Sequence, residues 1–452
     1  MKDIKDIKRI YFLGIGGIGM SALARYFNAR GVTVSGYDRT ETVLTKQLAS
    51  EGIAIHYEDN TGLIDKEAEL VVYTPAIPKD HQELNYLLHH SYTVVKRSDV
   101  LGMITNSSFN ICVAGTHGKT TTSTMIAHIL RDSGYGCNAF LGGIAANYNS
   151  NFWSHERNVC VVEADEYDRS FLKLSPDVAI ITAMDPDHLD IYGTAENVEQ
   201  AFIDFSARVK DGGLLLSKYG LKRGGELKAG NHKTYHLQEA AADVHAADIR
   251  VNSGSYTFNV VAKEWTLTNV VLNMGGMHNI ENMVAAITVA KHLGIDDEKI
   301  RSAVRSFKGV KRRFEFIVKK DDRVFIDDYA HHPDELRALI TGAKKMFTGK
   351  KCTVIFQPHL FTRTRDFADG FAESLDLADE LVLLPIYPAR ELPIAGVTSQ
   401  IILDRMKNSN RQMIEKKQLA DWVRMNKTEL LITAGAGDID TLVEPIKNIL
   451  EN

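Results

Sequence analysis

Short apolar runs alternate along the chain with longer stretches whose apolar positions recur at helical spacing. A short, continuous apolar run between turn residues reads as a strand buried on both faces. Such strands alternating with helices read as βαβ units around a parallel sheet. The first series is strand Ile10–Leu13, a glycine turn from Gly14 to Gly19, helix Met20–Arg30 and strand Val32–Tyr37. Strands at Leu70–Tyr73 and Thr93–Lys96 follow, and Asn106-Ser107-Ser108 interrupts the pattern.

A second series opens with strand Phe109–Ala114, the turn Gly115–Gly118 and helix Thr121–Leu130. It continues with strand Cys137–Leu141, a loop over Gly142–Asn151, strands Val159–Val162 and Val178–Thr182, helix Val198–Val209 and strand Gly213–Ser217. From Val244 to Leu272 short alternating strands suggest a small antiparallel addition, and a helix runs from Met277 to near Leu293. The basic stretch Lys308–Arg313 reads as a linker. The third series is strand Val324–Asp327, helix Asp334–Met346, strand Thr353–Phe356, helix Arg365–Leu375, strands Glu380–Leu384 and Leu430–Thr433, and helix Ile439–Ile449. The fold class is α/β in three domains, with limits at 1–106, 107–308 and 309–452.

Length agrees, because 452 residues exceed what one core supports. Hydrophobic content of 44% and charged content of 25% are those of a soluble globular protein. A net charge of −5 argues against a nucleic-acid partner or a membrane surface. No apolar run is long enough to span a bilayer, and the charged stretch Met1–Arg9 lacks a signal-peptide core, so a cytoplasmic location is expected. Cys112, Cys137, Cys160 and Cys352 are scattered without metal spacing, and buried free thiols are expected.

The candidate chemistry lies where strands end. Gly115-Thr116-His117-Gly118-Lys119-Thr120 joins a buried strand to a helix, the layout of a phosphate cradle. Backbone N–H groups and the positive end of the helix face one point, Lys119 adds a cation, and the Thr120 hydroxyl can ligate Mg²⁺. The turn is shorter than the standard P-loop, whose first glycine position is held here by Val113. Gly14-Ile15-Gly16-Gly17-Ile18-Gly19, with Asp38 about 20 residues on, matches a dinucleotide fingerprint. That pattern reports a pyrophosphate at a helix end and a carboxylate for a ribose hydroxyl, not a nicotinamide as such. Glu163-Ala164-Asp165-Glu166 and Asp185-Pro186-Asp187-His188-Leu189-Asp190 end two further strands, which puts Glu163 and His188 in the crevice of Lys119 and Thr120. Such a carboxylate-rich crevice suits Mg²⁺. Asn279 and Asn282 could read a base edge or cap a helix. In the third series, Arg363 and Arg365 could clamp a carboxylate or phosphate.

Taken in order, Gly115–Thr122, Glu163-Ala164-Asp165-Glu166, Asp187-His188-Leu189-Asp190, His278-Asn279, Arg312-Arg313-Phe314, Asp327-Asp328-Tyr329-Ala330-His331-His332-Pro333 and Gln357-Pro358-His359 resemble the Mur ligase family over nearly the whole chain. The resemblance implies an N-terminal Rossmann-like domain for a UDP-sugar, a central P-loop ATPase domain and a C-terminal Rossmann-like domain for an amino acid. The alanine-adding branch fits best. It implies that ATP phosphorylates the lactyl carboxylate of UDP-N-acetylmuramate, and that L-alanine attacks the acyl phosphate in peptidoglycan precursor synthesis. The enzyme is expected as a monomer or homodimer.

By the same resemblance, Gly14, Gly16, Gly17, Ile18, Gly19, Asp38 and Thr74 hold the UDP-sugar. Gly115, Thr116, His117, Gly118, Lys119, Thr120 and Thr121 hold the ATP phosphates, with Thr120 and Glu163 on one Mg²⁺ and His188 on a second. His278, Asn279 and Asn282 fall where the family holds adenine, and Arg313 and Asp328 where the third domain reaches the nucleotide. Tyr329, His331, His359 and Arg363 face the amino acid and acyl phosphate; Lys119, His188, Arg363 and His331 are the expected catalytic groups. The family commonly reads Arg-Tyr-Thr-Arg after Pro-His, whereas this chain has Leu360-Phe361-Thr362-Arg363, so one arginine is missing from the amino-acid contact. Three rival readings are an NAD-dependent oxidoreductase, a P-loop switch ATPase and a ligase that attaches a whole murein peptide. The first leaves Gly-Lys-Thr and the acidic clusters unexplained.

Overall fold

A computed structural model of the chain describes residues 4–167, 169–186, 189–252, 254–389 and 391–451. The first sheet is built from β1 (Arg9–Leu13), β2 (Thr33–Tyr37), β3 (Ala54–His56), β4 (Leu70–Tyr73) and β5 (Val94–Lys96). Its order is β3-β2-β1-β4-β5, and every pairing is parallel. The accompanying helices are α1 (Ile18–Asn28), α2 (Val43–Ser50), α3 (Gln82–His89) and α4 (Arg97–Asn106). This is the doubly wound arrangement expected of a nucleotide-binding half.

The second sheet begins with β6 (Phe109–Ala114), whose helix α5 (Lys119–Asp132) is buried from Thr120 to Leu130. Next come β7 (Asn138–Ala145), β8 (Ser150–Trp153), β9 (Val159–Glu163) and β10 (Val178–Ile181). After α6 (Leu189–Tyr192) and α7 (Ala195–Ser206) follow β11 (Leu214–Lys218), β12 (Asn231–His236), β13 (Val244–Asn252), β14 (Ser255–Ala262) and β15 (Thr266–Leu272). Helices α8 (Met277–His292) and α9 (Asp297–Ser306) close the series. The ten strands run β15-β14-β13-β12-β11-β10-β6-β9-β7-β8. The short strands expected as a small antiparallel addition within this domain continue the main sheet as β13, β14 and β15, with β13 parallel to β12.

The loop expected over Gly142–Asn151 is corrected: β7 runs on to Ala145, and Ser150–Trp153 returns antiparallel to it as β8. Paired glycines read as a breaker, but Gly142 is a glycine for another reason. A Cβ there would lie 2.2 Å from the Glu163 carboxylate.

The third sheet has the order β16-β17-β21-β18-β19-β20. Its strands and helices, in chain order, are β16 (Glu315–Lys319), β17 (Val324–Asp328), α10 (Pro333–Met346), β18 (Cys352–Phe356), α11 (Phe361–Asp366), α12 (Ala368–Leu375), β19 (Glu380–Leu383), α13 (Gln400–Leu403), β20 (Arg411–Met413), α14 (Leu419–Met425), β21 (Leu430–Ala434) and α15 (Val443–Glu451). Only β16 pairs antiparallel. The single helix expected over Arg365–Leu375 is two, broken at Phe367 (φ −114°, ψ 18°), whose ring packs edge-on against His332. The helix expected to start at Ile439 opens as a 3₁₀ turn, Asp438–Leu442.

Backbone contacts divide the chain into two compact units, residues 1–247, 260–267 and 281–304, and residues 248–259, 268–280 and 305–452. The first unit thus contains both the first sheet and most of the second. One apolar core joins them, running from Ile10, Phe12 and Phe27 to Phe140, Phe152 and Val162. All four cysteines are buried free thiols, as the sequence led us to expect. Among the described residues, no helix is long and apolar enough to cross a membrane.

Candidate active site

Strands β10, β6 and β9 lie side by side and parallel, so their carboxyl ends open at one level. That register brings the phosphate turn, Glu163 and Thr182 together. Gly115 (φ +134°) and Gly118 (φ +81°) take conformations that favour glycine. A Cβ on Gly115 would also stand 2.1 Å from Thr182 Oγ1. The Thr182 hydroxyl donates to the carbonyls of Ala114 (3.1 Å) and His117, which fixes the turn from the neighbouring strand.

The Lys119 ammonium donates to the Gly115 carbonyl (2.6 Å) and lies 2.9 and 2.8 Å from the two carboxylate oxygens of Glu166, a buried acid. The Thr120 hydroxyl donates to Glu163 Oε1 (3.1 Å), and the Gly142 N–H donates to Glu163 Oε2 (3.0 Å). A hydroxyl and a carboxylate oriented in this way are hard oxygen donors, and they fit Mg²⁺. His188, expected on a second metal ion, lies outside the described residues; among the described residues, no cluster of three or more His, Cys, Asp or Glu side chains is gathered for a metal. Thr116 and Thr121 are buried in the turn, whereas His117 is 73% exposed, 3.9 Å from Asp185.

The other glycine turn works differently. Gly14 and Ile15 donate from their N–H groups to the Tyr37 carbonyl (2.8 and 3.0 Å), and Gly16 N–H donates to Asp38 Oδ2 (2.7 Å). Asp38, expected at a ribose, therefore closes the turn with one carboxylate oxygen. A Cβ on Gly14, Gly16 or Gly19 would come within 2.7 Å of Thr74, 2.6 Å of Thr45 or 2.9 Å of Arg97 respectively. Gly17 differs: its φ is −63°, and no atom lies closer than 3.5 Å to a Cβ built there. Neither the backbone conformation nor a neighbouring atom requires glycine at 17.

A cleft of about 310 Å³ opens at the first glycine turn, lined by Gly17, Gly19, Thr74 and Arg97 and by Gly142, Glu163 and Asp165 of the second sheet. Arg97 and Asp165 face each other at 3.9 Å. Sequence reasoning missed Arg97, Glu166 and Thr182. Glu166 was legible as a member of the acidic cluster, but Arg97 comes from a helix with no motif. A larger cleft, about 680 Å³ along Arg9, Ser35 and His56, contains neither turn. The placement of the donors decides between the two, not their size.

On α8, Asn282 Oδ1 lies 3.0 Å from a Cβ built on Gly118, beside the phosphate turn. Asn279 donates from Nδ2 to the Gly275 carbonyl (2.6 Å), a local bond at the helix start, and His278 is exposed. In the second unit, Tyr329, His331, His359 and Arg363 do gather. The Tyr329 and His331 rings are 5.2 Å apart, the His331 and His359 rings 6.4 Å, and Arg363 Nη1 is 3.5 Å from His359 Nδ1. Burial pushes both imidazoles below their ordinary range, with Arg363 a further cause at each. Both Asp328 oxygens accept backbone N–H groups, from Phe314 (2.6 Å) and Ala330 (2.7 Å). Arg313 is exposed. Its neighbour Arg312 is the anchored one, donating to the Gly435 carbonyl (2.5 Å) and 3.5 Å from Asp327. Burial raises Asp327 to about 7 and Asp328 to about 6.

Three family models match in sequence: the Mur ligase family catalytic domain over residues 9–108, the Mur ligase middle domain over 113–290 and the Mur ligase glutamate ligase domain over 312–439. The chain belongs to the Mur ligase family. It is 50% identical to a UDP-N-acetylmuramate–L-alanine ligase of Parabacteroides distasonis, over 99% of this chain and 98% of the relative. It is 46% identical to the ligase of the same name from Flavobacterium johnsoniae, over 99% of each. Among solved structures it is similar to a UDP-N-acetylmuramate–alanine ligase from Thermotoga maritima, at a TM-score of 0.82, 29% identity and 98% coverage of both chains. It also shares its fold with a murein peptide ligase from Psychrobacter arcticus, at a TM-score of 0.66, 21% identity and 98% and 99% coverage.

Proposed function

We propose that the chain is an ATP-dependent ligase that joins L-alanine to the lactyl carboxylate of UDP-N-acetylmuramate through an acyl phosphate, in peptidoglycan precursor synthesis. One observation carries the reading: the first glycine turn lines a cleft together with Glu163, the carboxylate that accepts from Thr120 of the turn that carries Lys119. The relatives' names supply the substrates. Functional limits near 106/107 and 308/309 go with it.

The chemistry follows from the charges. A carboxylate is a poor electrophile, because its own charge repels a nucleophile and it has no good leaving group. Its oxygen instead attacks the γ-phosphorus, the bond to ADP breaks, and an acyl phosphate results. Charge on the transferring group is the main obstacle, so placement and cations dominate. Lys119 meets the phosphates at the mouth of α5, leaving the Glu166 carboxylate it holds in this structure. Thr120 and Glu163 would hold Mg²⁺, with His188 on a second ion, and bound Mg²⁺ neutralises phosphate charge. Gly14 to Gly19 hold the diphosphate of the sugar nucleotide, leaving its carboxylate toward the cleft. Asn282 and its helix take the adenine. Tyr329, His331, His359 and Arg363 hold the amino acid. A neutral imidazole, His331 or His359, takes the ammonium proton. The free amine then attacks the acyl carbon and phosphate leaves.

The test is mass spectrometry of products after incubation with UDP-N-acetylmuramate, ATP, Mg²⁺, mixed amino acids and the murein tripeptide. The expected product is the alanyl sugar nucleotide, with ADP and phosphate in equal amounts. A tripeptide adduct in its place would overturn the assignment.

A further inference from the structure

We propose that Asn151 is a positioning residue for phosphoryl transfer. It locks the glycine turn of the sugar nucleotide to the hairpin that steadies Glu163. The proposal rests on the reading above of what the two turns bind.

Asn151 lies on β8 and is fully buried. All its side-chain bonds go to α1, more than a hundred positions earlier in the chain. Its Nδ2 donates to the Ile18 carbonyl (2.6 Å) and to Ser21 Oγ (2.9 Å). Its Oδ1 accepts from Arg25 Nη1 (2.5 Å), and Arg25 Nε and Nη2 also bond both Glu51 oxygens at 2.6–3.0 Å. The grip is on the first turn of α1. Ile18 directly follows Gly17, and it is this turn whose N–H groups face the ligand space.

The other end of the connection is equally short. β8 pairs with β7 at Phe152 and Phe140, and β7 continues to Gly142, whose N–H donates to Glu163 Oε2. Four links therefore lead from the glycine turn to the carboxylate beside Thr120: Ile18, Asn151, the hairpin and Gly142. Around them the contact is apolar. The Tyr26 ring lies 5.2 Å from Phe140 and 6.1 Å from Phe152. Apolar burial is non-directional and tolerates a small slide. A buried amide bonded at both ends does not, because a slide leaves its partners unpaired. The rings hold the sheets together, and Asn151 sets the register between two substrates. Misplacing a reacting group by about 1 Å costs on the order of 100-fold in rate.

The experiment compares Asn151→Asp, which keeps an acceptor for Arg25 but loses the donor to Ile18, and Ser21→Ala, which deletes one partner. Each is assayed for ADP formation per folded molecule, for KM of both substrates and for thermal midpoint. For Asn151→Asp we expect kcat to fall roughly 10- to 100-fold, with KM for ATP within about twofold of the parent, because the ATP cradle is untouched. Ser21→Ala should lose about threefold in kcat at a nearly unchanged midpoint, and it carries the test where Asn151→Asp fails to fold. A purely structural role would lower the midpoint and leave kcat per folded molecule intact in both variants, and that result overturns the proposal. A parent inactive on these substrates would overturn the functional reading and the proposal with it; an active parent with unimpaired variants overturns the proposal alone.

Discussion

The two glycine turns share a backbone plan and differ in everything that charge requires. Each leaves the carboxyl end of a parallel strand, β1 or β6, and enters a helix. The turn at Gly115–Gly118 has its own cation in Lys119, a buried counter-ion in Glu166, and a hydroxyl–carboxylate pair in Thr120 and Glu163. The turn at Gly14–Gly19 has no basic residue, ties one N–H to Asp38, and has Arg97 brought to it from α4. Backbone N–H groups and a helix end are enough to hold a diphosphate that does not react. A phosphoryl group in transfer redistributes its charge, and stabilising it takes side chains that can change partners.

The sharpest way to break the contrast is to remove the cation from the reactive turn. Lys119→Ala should lower kcat on the order of 1,000-fold, as expected when a preorganised electrostatic partner of the transition state is lost. The thermal midpoint should fall as well, because the buried Glu166 loses its Lys119 partner, so kcat is taken per folded molecule. Ligation at a rate near the parent's would refute the role.

Arg97→Ala is the matching change at the other turn. It should raise KM for the sugar nucleotide by about 10- to 100-fold, the usual worth of a charged hydrogen bond, and leave KM for ATP almost unchanged. Equal changes in both KM values would show that Arg97 supports the fold and not the substrate.

How far each turn was legible follows from the same contrast. Lys119, Thr120 and their glycines sit in one short motif, and Glu163 ends the next strand in the sheet, so local sequence and strand order were enough. Arg97 and Asn151 were not legible. Each acts on a turn far away in sequence, and neither sits in a recognisable pattern. Gly142 and Gly143 misled in the opposite direction. Glycine reads as a chain break, yet at 142 it makes room for a carboxylate inside a strand. In the third domain the basic pair Arg312-Arg313 was recognised, but not that Arg312 is anchored on Gly435 and Asp327 while Arg313 is exposed, because sequence alone does not tell which guanidinium is buried.

Two glycines of the first turn separate ligand space from protein space. Gly17→Ala has room and an ordinary φ, so it should keep the parent's thermal midpoint or gain slightly, by about 0.4–1 kcal/mol of stability. It should nonetheless raise KM for the sugar nucleotide several-fold, about 1 kcal/mol of binding. Gly16→Ala presses on Thr45 and Asp38 and should cost about 1–3 kcal/mol of stability. Calorimetric unfolding and substrate titration of the pair check this, and a Gly17→Ala variant that binds the sugar nucleotide as tightly as the parent refutes the assignment.

The smallest expected effect concerns an acid that ends a strand of the second unit. Asp38 and Glu163 accept backbone N–H groups at their turns, whereas Asp327, at the end of β17, is buried and raised to about 7 by that burial, Arg312 and Thr433 offsetting it only in part. An unfolded aspartate titrates near ~3.9. With the folded value higher, the folded state holds its proton where the unfolded state has released it. The contribution to stability is therefore complete below about pH 4 and is lost as pH rises toward 7. Asp328, raised to about 6, acts with the same sign. Asp327→Asn removes the larger of the two titrations. Its stability relative to the parent should thus rise between pH 4 and pH 7, by about 1–2 kcal/mol, less than the full shift allows because a buried site relaxes and admits water when its carboxylate ionises. Hydrogen exchange of the β17 and β21 amides measures this within the second unit. A difference that stays flat across that window, or falls, would show that Asp327 is ionised in the folded protein at all these pH values, held by Arg312.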